Sequence, residues 1–476
     1  MVNEEKPSLF SRSYNSSSEM SNSIDSCRDP KLFSPLRYWK NLLIVSIAFM
    51  LTFIANGALA NLQSSLNYNA GIGVGSLCAI YVGLILSSFI TPLVVWLLKV
   101  KWTLVVCCFF YALYSAANFY PAAYTLIPAA GLLGLAASPF WAAVSTYITT
   151  SAIQLADVTG RVPETIINRF NGIFFCFLKF GHVIGNTISS VVLTNNSTSV
   201  SVDYCGRDSC GSNINFTTIE GGAKTKDNQV SVLISIYVGV GLLAIVVLTF
   251  LLDRIPDGND EDKKFNWSHV RDHLTSAFHL MKSPYLLLLI PIMIYSGVEQ
   301  AFIGADFTKS YVSCTEGSGM VGYTMIAYGA FDALASVIFG QLEKYTGRIA
   351  IFMFGGVLHL VLMVIFVMWN PHTSAMWQMV LLAMGWGVGD AVWQTQIQSI
   401  VGVVFPDVQE PAFANYRLWQ AVGSAASYAL TIPRVICVSH KLYSMMAFLI
   451  LSLICYISEE YLISKTFTSY KTYEKY

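Results

Sequence analysis

Three side chains that attract or share charge recur at every fourth residue of one apolar run: Asp390, Gln394 and Gln398, inside GWGVGDAVWQTQIQ, residues 385 to 398. At about 100° of rotation per residue they fall at about 0°, 40° and 80° around a helix, with Gly387 at about 60° on the same side. The result is one polar stripe, flanked by Trp393. A carboxylate and two amides on one face could attract a cation, exchange a proton, or hydrogen-bond to a neighbouring helix. Ionisable groups recur in other apolar runs: Lys179 and His182, which share a helix face by i,i+3 spacing, then Glu299 and Asp332. Two readings follow. In one, Asp390, Asp332 and Glu299 line a hydrated cavity for a cation or for protons, with His182 as relay. In the other, Lys179 neutralises Asp332 or Asp390 between helices while Gln394 and Gln398 bond to their neighbours.

The elements that must position these residues follow from composition. Of 476 residues, 54% are hydrophobic and 12% charged, and mean hydropathy is +0.55. A soluble chain of this size would carry about twice that charged fraction. The lipid bilayer is therefore the expected solvent, and an ionised carboxylate at its centre costs about 2.5–3.5 kcal/mol on insertion scales. Asp390 must turn towards protein or water. Lys plus Arg equals Asp plus Glu at 28 each, so no charge excess points to nucleic acid. Twelve apolar runs approach the roughly 20 residues that span hydrocarbon. They lie near 41–62, 75–98, 103–119, 124–148, 171–194, 230–252, 284–305, 320–341, 349–369, 375–398, 412–435 and 442–463. The fold expected is an all-α membrane protein of twelve transmembrane helices.

Basic residues set the orientation. Arg28, Arg37, Lys40, Lys99, Lys101, Arg254, Lys344, Arg348 and Arg417 fall on segments that share a side with both termini. The opposite side holds Arg207, Lys224, Lys226, Lys309, Arg434 and Lys441, and Lys179 alone among Lys and Arg falls within a span. Both termini are thus expected in the cytoplasm. The chain divides into a disordered polar tail at 1–37, a first six-helix bundle at 38–252, a linker at 253–283, a second bundle at 284–463 and a tail at 464–476. The halves look alike: PFWAAVSTY (Pro139–Tyr147) and AVWQTQIQ (Ala391–Gln398) place a Trp similarly, about 250 residues apart. ETIINRF from Glu164 and EPAFANYRL from Glu410 follow them. Two pseudo-repeated bundles are expected. Gly181 and Gly185 in GHVIG, and Gly423 and Ser427 in GSAAS, predict close helix contact, with the interface between halves as one place for it.

The outside loop, 195–229, carries glycosylation patterns at Asn195, Asn196 and Asn215, of which Asn215 stands clearest of the membrane. Of ten cysteines, Cys205, Cys210, Cys314 and Cys437 fall on the outside face, so two disulfides are expected in any of three connectivities. No phosphate-binding loop or His-Glu-x-x-His occurs, nor any Cys pair on the inside with zinc spacing. Neither catalysis nor a cofactor or metal site is therefore expected.

GQLEKYTGR, Gly340 to Arg348, resembles the Gly-x-x-x-Asp-x-x-Gly-Arg turn of the major facilitator superfamily, with Glu343 in place of Asp. Gly340 and Gly347 would let helices close tightly, while Glu343 and Arg348 reach neighbouring helix ends and bias a gate. The matching turn of the first half, PLVVWLLKVKW from Pro92, lacks nearly all of this pattern. NLQSSLN (Asn61–Asn67), YTLIPA (Tyr124–Ala129), FTKSYVSC (Phe307–Cys314), KYTGR, GDAVWQTQ and AFANYRLW (Ala412–Trp419) together resemble the uncoordinated-93 (unc-93) family, most of all its homolog A branch. The resemblance covers roughly residues 41–463. It implies a major facilitator fold whose first, fourth, seventh and tenth helices line a central cavity. It also implies a partner among membrane proteins: one branch is associated with two-pore potassium channels, another with Toll-like receptor trafficking. The function expected is regulator or trafficking partner of an ion channel, or of a receptor, in the plasma membrane rather than an endolysosomal one. The alternative is secondary transport of a small solute or cation.

Overall fold

The structure is a computed structural model that describes residues 33–66, 72–192, 205–209, 227–255, 275–316, 319–369, 371, 376–431 and 436–473. Asn195, Asn196, Asn215, Cys210, the tail up to residue 32 and most of the linker, 256–274, lie outside the described residues.

The first half comprises α1 (Pro35–Leu66), α2 (Ile72–Ala117), α3 (Ala123–Thr159), α4 (Pro163–Val192) and α5 (Asp227–Leu251). The second comprises α6 (Pro284–Ala301), which runs on as a π-helical segment, Phe302–Ser313, then α7 (Gly319–Thr346), α8 (Arg348–Met368), α9 (Met376–Val404), α10 (Gln409–Thr431) and α11 (Val438–Tyr473). Punctuation is chemical. Gly160 at φ 63° closes α3, and Pro163 with Glu164 opens α4, where a missing N–H and an acid both suit a helix start. Nine of the described helices are long and apolar enough to cross a membrane. One of them, α2, is 46 residues long and breaks at Lys99, so it crosses twice. The polar helices α9 and α10 fall outside those nine and complete twelve crossings.

The same pairings occur in both halves. The first crossing packs on the fifth and sixth and the second on the fourth; likewise α6 packs on α10 and α11, and α7 on α9. Close approach is matched as well. A Cβ on Gly185 would overlap the Ile54 carbonyl oxygen, and one on Gly423 that of Ile294; Gly134 and Gly387 stand in the same relation to Ile80 and Tyr328. GHVIG and GSAAS therefore pack within halves, against α1 and α6, rather than across the interface between them. That interface is made by α4 against α7 and by the first part of α2 against α10, where the Tyr81 and Tyr428 rings are 5.5 Å apart. At the first of these seams, Gly172 and Gly340 bring the backbones together: a Cβ on Gly340 would meet the Asn168 carbonyl oxygen at 2.7 Å.

Each half has its own apolar core. Phe49, Phe140 and Phe174 centre one, with Phe49 and Phe140 stacked at 4.2 Å; Phe366, Trp386 and Trp393 centre the other. Leu242, Leu243, Val246 and Phe250 of α5, and Ile450, Leu451 and Ile454 of α11, are exposed. Apolar outward faces are what lipid requires. By contrast α9 is buried on every side from Gly389 to Gly402, and that places the polar stripe at the centre of the molecule.

The candidate site at the seam between halves

Asp390 is completely buried, and four donors from four helices converge on its carboxylate. The Lys179 ammonium of α4 and the Tyr328 hydroxyl of α7 both reach Oδ2. Gln300 Nε2 of α6 and Gln394 Nε2 of α9 donate to Oδ1 at 3.3 and 3.2 Å. Lys179 also pairs with Asp332 Oδ2 at 2.7 Å, and Ser336 donates to Asp332 Oδ1 at 3.3 Å. One ammonium from the first half thus bridges two carboxylates of the second. Side-chain exposure is 8% for Lys179 and zero for both acids.

The network continues into the second half. The Glu299 carboxyl lies against that of Asp390 and accepts a 2.8 Å hydrogen bond from Trp386 Nε1. His359 stacks on Trp386 at 4.3 Å and accepts at Nδ1 from Trp393 Nε1 at 3.2 Å. Indole is a donor and never an acceptor, so Nδ1 carries no proton and Nε2–H faces the Trp386 carbonyl oxygen at 3.4 Å. Trp393 therefore belongs to the core of the second half, with Tyr295 and Phe352, while the stripe it flanks faces the seam. His182 packs on α1, over Gly57 and against Phe53 at 5.7 Å.

Lower on the stripe, Gln398 ties the halves directly. Its Nε2 donates to Asn171 Oδ1 at 3.0 Å, and its Oε1 accepts from Ser145 at 3.1 Å and from Arg417 NH2 at 3.1 Å. At the end of the bundle nearest the termini, the gate-like turn is a second tie. Arg348 holds Glu460 at 2.6 Å and Glu164 of the first half at 2.8 Å, and Glu343 accepts from Asn168 at 2.7 Å. Gly347 has φ 78° and ψ 157°; Lys99, at the equivalent turn of the first half, has φ 63° and ψ 156°. There too Arg37 and Lys40 hold Asp253 at 2.7 and 2.9 Å, and the Arg37 hydrogen bond, ahead of Lys40, keeps that carboxyl well below the usual carboxylate range. At the opposite end Cys205 and Cys314 form a disulfide, and Cys437 is also disulfide-bonded.

The stripe, Lys179, Asp332 and Glu299 thus come together, whereas Trp393 and His182 turn away from the acids. Tyr328, Gln300, Trp386, His359 and Arg417 join the network without standing among the sequence candidates. Arg417 is the largest departure: as a basic residue it reads as a charge on the end near the termini, yet it is 4% exposed.

Two six-crossing halves joined along the second and eleventh and the fifth and eighth crossings define a major facilitator fold. A solved fucose:proton symporter of E. coli is similar over 89% of this chain and 99% of its own, at TM-score 0.62 and 12% identity. A human organic anion transporter is similar over 88% and 99%, at TM-score 0.63 and 9% identity. Within that class the chain belongs to the UNC-93 family, described as ion channel regulatory protein UNC-93, whose model matches residues 64–457. It is similar to protein unc-93 homolog A of Xenopus laevis, 40% identical over 89% of this chain and 93% of that one. The human homolog A is 37% identical over 88% and 93%. A Caenorhabditis elegans relative, named as a putative potassium channel regulatory protein, is 33% identical over 82% of this chain and 56% of its own.

Proposed function

We propose that this chain is an accessory partner of an ion channel, a potassium channel in the first instance, and that its facilitator scaffold works as a locked body rather than a conduit. The observation that carries this reading is the filling of the seam by protein. Asp390 is met by Lys179, Tyr328, Gln300 and Gln394, Gln394 accepts from Tyr416, and Gln398 is met by Asn171, Ser145 and Arg417, all three at no more than 2% exposure. Family membership and the naming of the worm relative support the choice of partner. We assign the chain to the plasma membrane with both termini cytoplasmic. A disulfide at the end away from the termini fits an oxidising exterior there.

One observation favours secondary transport as the second reading: three touching carboxyls face one ammonium, so neutrality requires protons or cations from elsewhere. Purified chain alone in proteoliposomes, assayed for radioactive rubidium uptake and for proton flux, separates the two. An accessory partner passes neither, yet alters the surface level or current of a co-expressed two-pore potassium channel. Flux that Asp390→Asn abolishes would overturn this reading in favour of transport.

A further inference from the structure

Arg417 stands apart from the other cations buried in the bundle. Lys179 has Asp332 and Asp390, Lys441 has Asp306 at 2.7 Å, and Arg348 has Glu460. Among the described residues no carboxylate lies within ion-pair distance of Arg417; its acceptors are the neutral amide oxygens of Gln420, on NH1 at 2.6 Å, and Gln398, on NH2 at 3.1 Å. Nε–H has no acceptor although it is buried. The guanidinium is flanked by the rings of Trp141, 4.1 Å to the centroid, and Tyr416, 4.4 Å. Asn171, which accepts from the same Gln398 amide that Arg417 holds, has in its amide nitrogen a second buried donor without an acceptor.

The pattern of use within the guanidinium is specific. Nε and NH2 form the side-on edge that donates to both oxygens of a planar carboxylate in two parallel bonds. Here a single amide oxygen fills half of that edge, and a positive charge stays uncompensated away from water, an expensive arrangement. We infer that Arg417, with Asn171 and Trp141, is a binding site for a small organic monocarboxylate, which displaces Gln398 from the side-on edge and neutralises the guanidinium. Arg417 comes from α10, Trp141 from α3 and Asn171 from α4, so the site lies across the contact between the halves and is opened by a local swing of the Gln398 side chain. The guanidinium lies over the Trp141 ring, itself packed among Phe49, Phe53 and Phe174, and apolar surroundings of this kind favour a carboxylate on a flat apolar body. The site is distinct from the acid cluster around Asp390 and does not depend on whether the chain regulates a channel.

Equilibrium binding of radiolabelled benzoate to the purified full-length chain, at constant ionic strength in sodium chloride, tests this. Wild type should bind benzoate saturably. Arg417→Lys, which keeps the charge but loses the fork, should weaken binding by about thirtyfold or more, the scale of truncating one partner of a buried charged pair. Gln398→Ala, which clears the competing amide oxygen, should bind at least as tightly as wild type, a result that misfolding cannot imitate. Absence of saturable benzoate binding to wild type, equal binding by Arg417→Lys, or loss of binding in Gln398→Ala would each overturn the proposal.

Discussion

Replacing Lys179 with methionine keeps an unbranched four-atom stem and removes the ammonium that bridges Asp332 and Asp390. Both acids are at zero exposure, so water cannot take over the lost interaction without opening the seam. Removing one partner of a buried ion pair costs about 3–5 kcal/mol. Each kcal/mol lowers a melting midpoint by about 2–4 °C for a unit of 150–250 residues, roughly one half of this molecule. The expected drop is about 10 °C. Cys107 and Cys108 are buried free thiols, so a fluorogenic thiol dye reports the transition in detergent. Lys179→Met/Asp390→Asn removes one of the orphaned acids and should regain roughly half of the loss. A single variant that melts with wild type, or a double variant that melts below the single, would refute the bridging role of Lys179.

Three further outcomes are expected. Lys99 occupies a region of φ and ψ that costs a side-chain-bearing residue about 1–3 kcal/mol, and Gly347 shows the natural occupant; Lys99→Gly should therefore raise the melting midpoint by a few degrees, and a lowered midpoint would contradict the strain. Cys205→Ser/Cys314→Ser opens a link between positions 109 residues apart and should cost about 2–5 kcal/mol, seen as a midpoint below that of wild type under non-reducing conditions, a difference that disappears when reducing agent lowers wild type as well. Arg37 and Lys40 lower the folded-state affinity of Asp253 for protons, so its contribution is complete above the unfolded carboxylate range and is lost as pH falls below about 4. The wild-type advantage over Asp253→Asn should accordingly be constant from neutrality to about pH 5 and shrink in acid; an advantage that grows in acid would exclude this linkage.

Twelve crossings are legible in the chain because hydrocarbon admits long apolar runs and little else, and the α9 stripe is legible because a four-residue spacing survives helix formation. The charge bridge from Lys179 to Asp332 and Asp390 is legible as one of two readings, since a lone intramembrane lysine needs an acid. Arg417 is not. Beside a short polar turn, an arginine at the mouth of a helix and an arginine drawn inside it have the same spacing, and packing against Trp141 of the other half decides between them. His359 escapes for a related reason: its partners, Trp393 Nε1 and the Trp386 carbonyl, lie across a helix contact that no local pattern encodes. GHVIG predicts close packing correctly, but which helix fills the groove, α1 rather than the opposite half, depends on topology.

The most direct test of the locked seam as the working part of the molecule is potassium current per surface channel. A two-pore channel would be co-expressed with wild type, with Lys179→Met, or with Lys179→Met/Asp390→Asn, at matched surface amounts of each chain. With the seam as the working part, wild type shifts the current, Lys179→Met loses most of that shift, and the double variant regains part of it. Full modulation by Lys179→Met at matched surface amounts would contradict it.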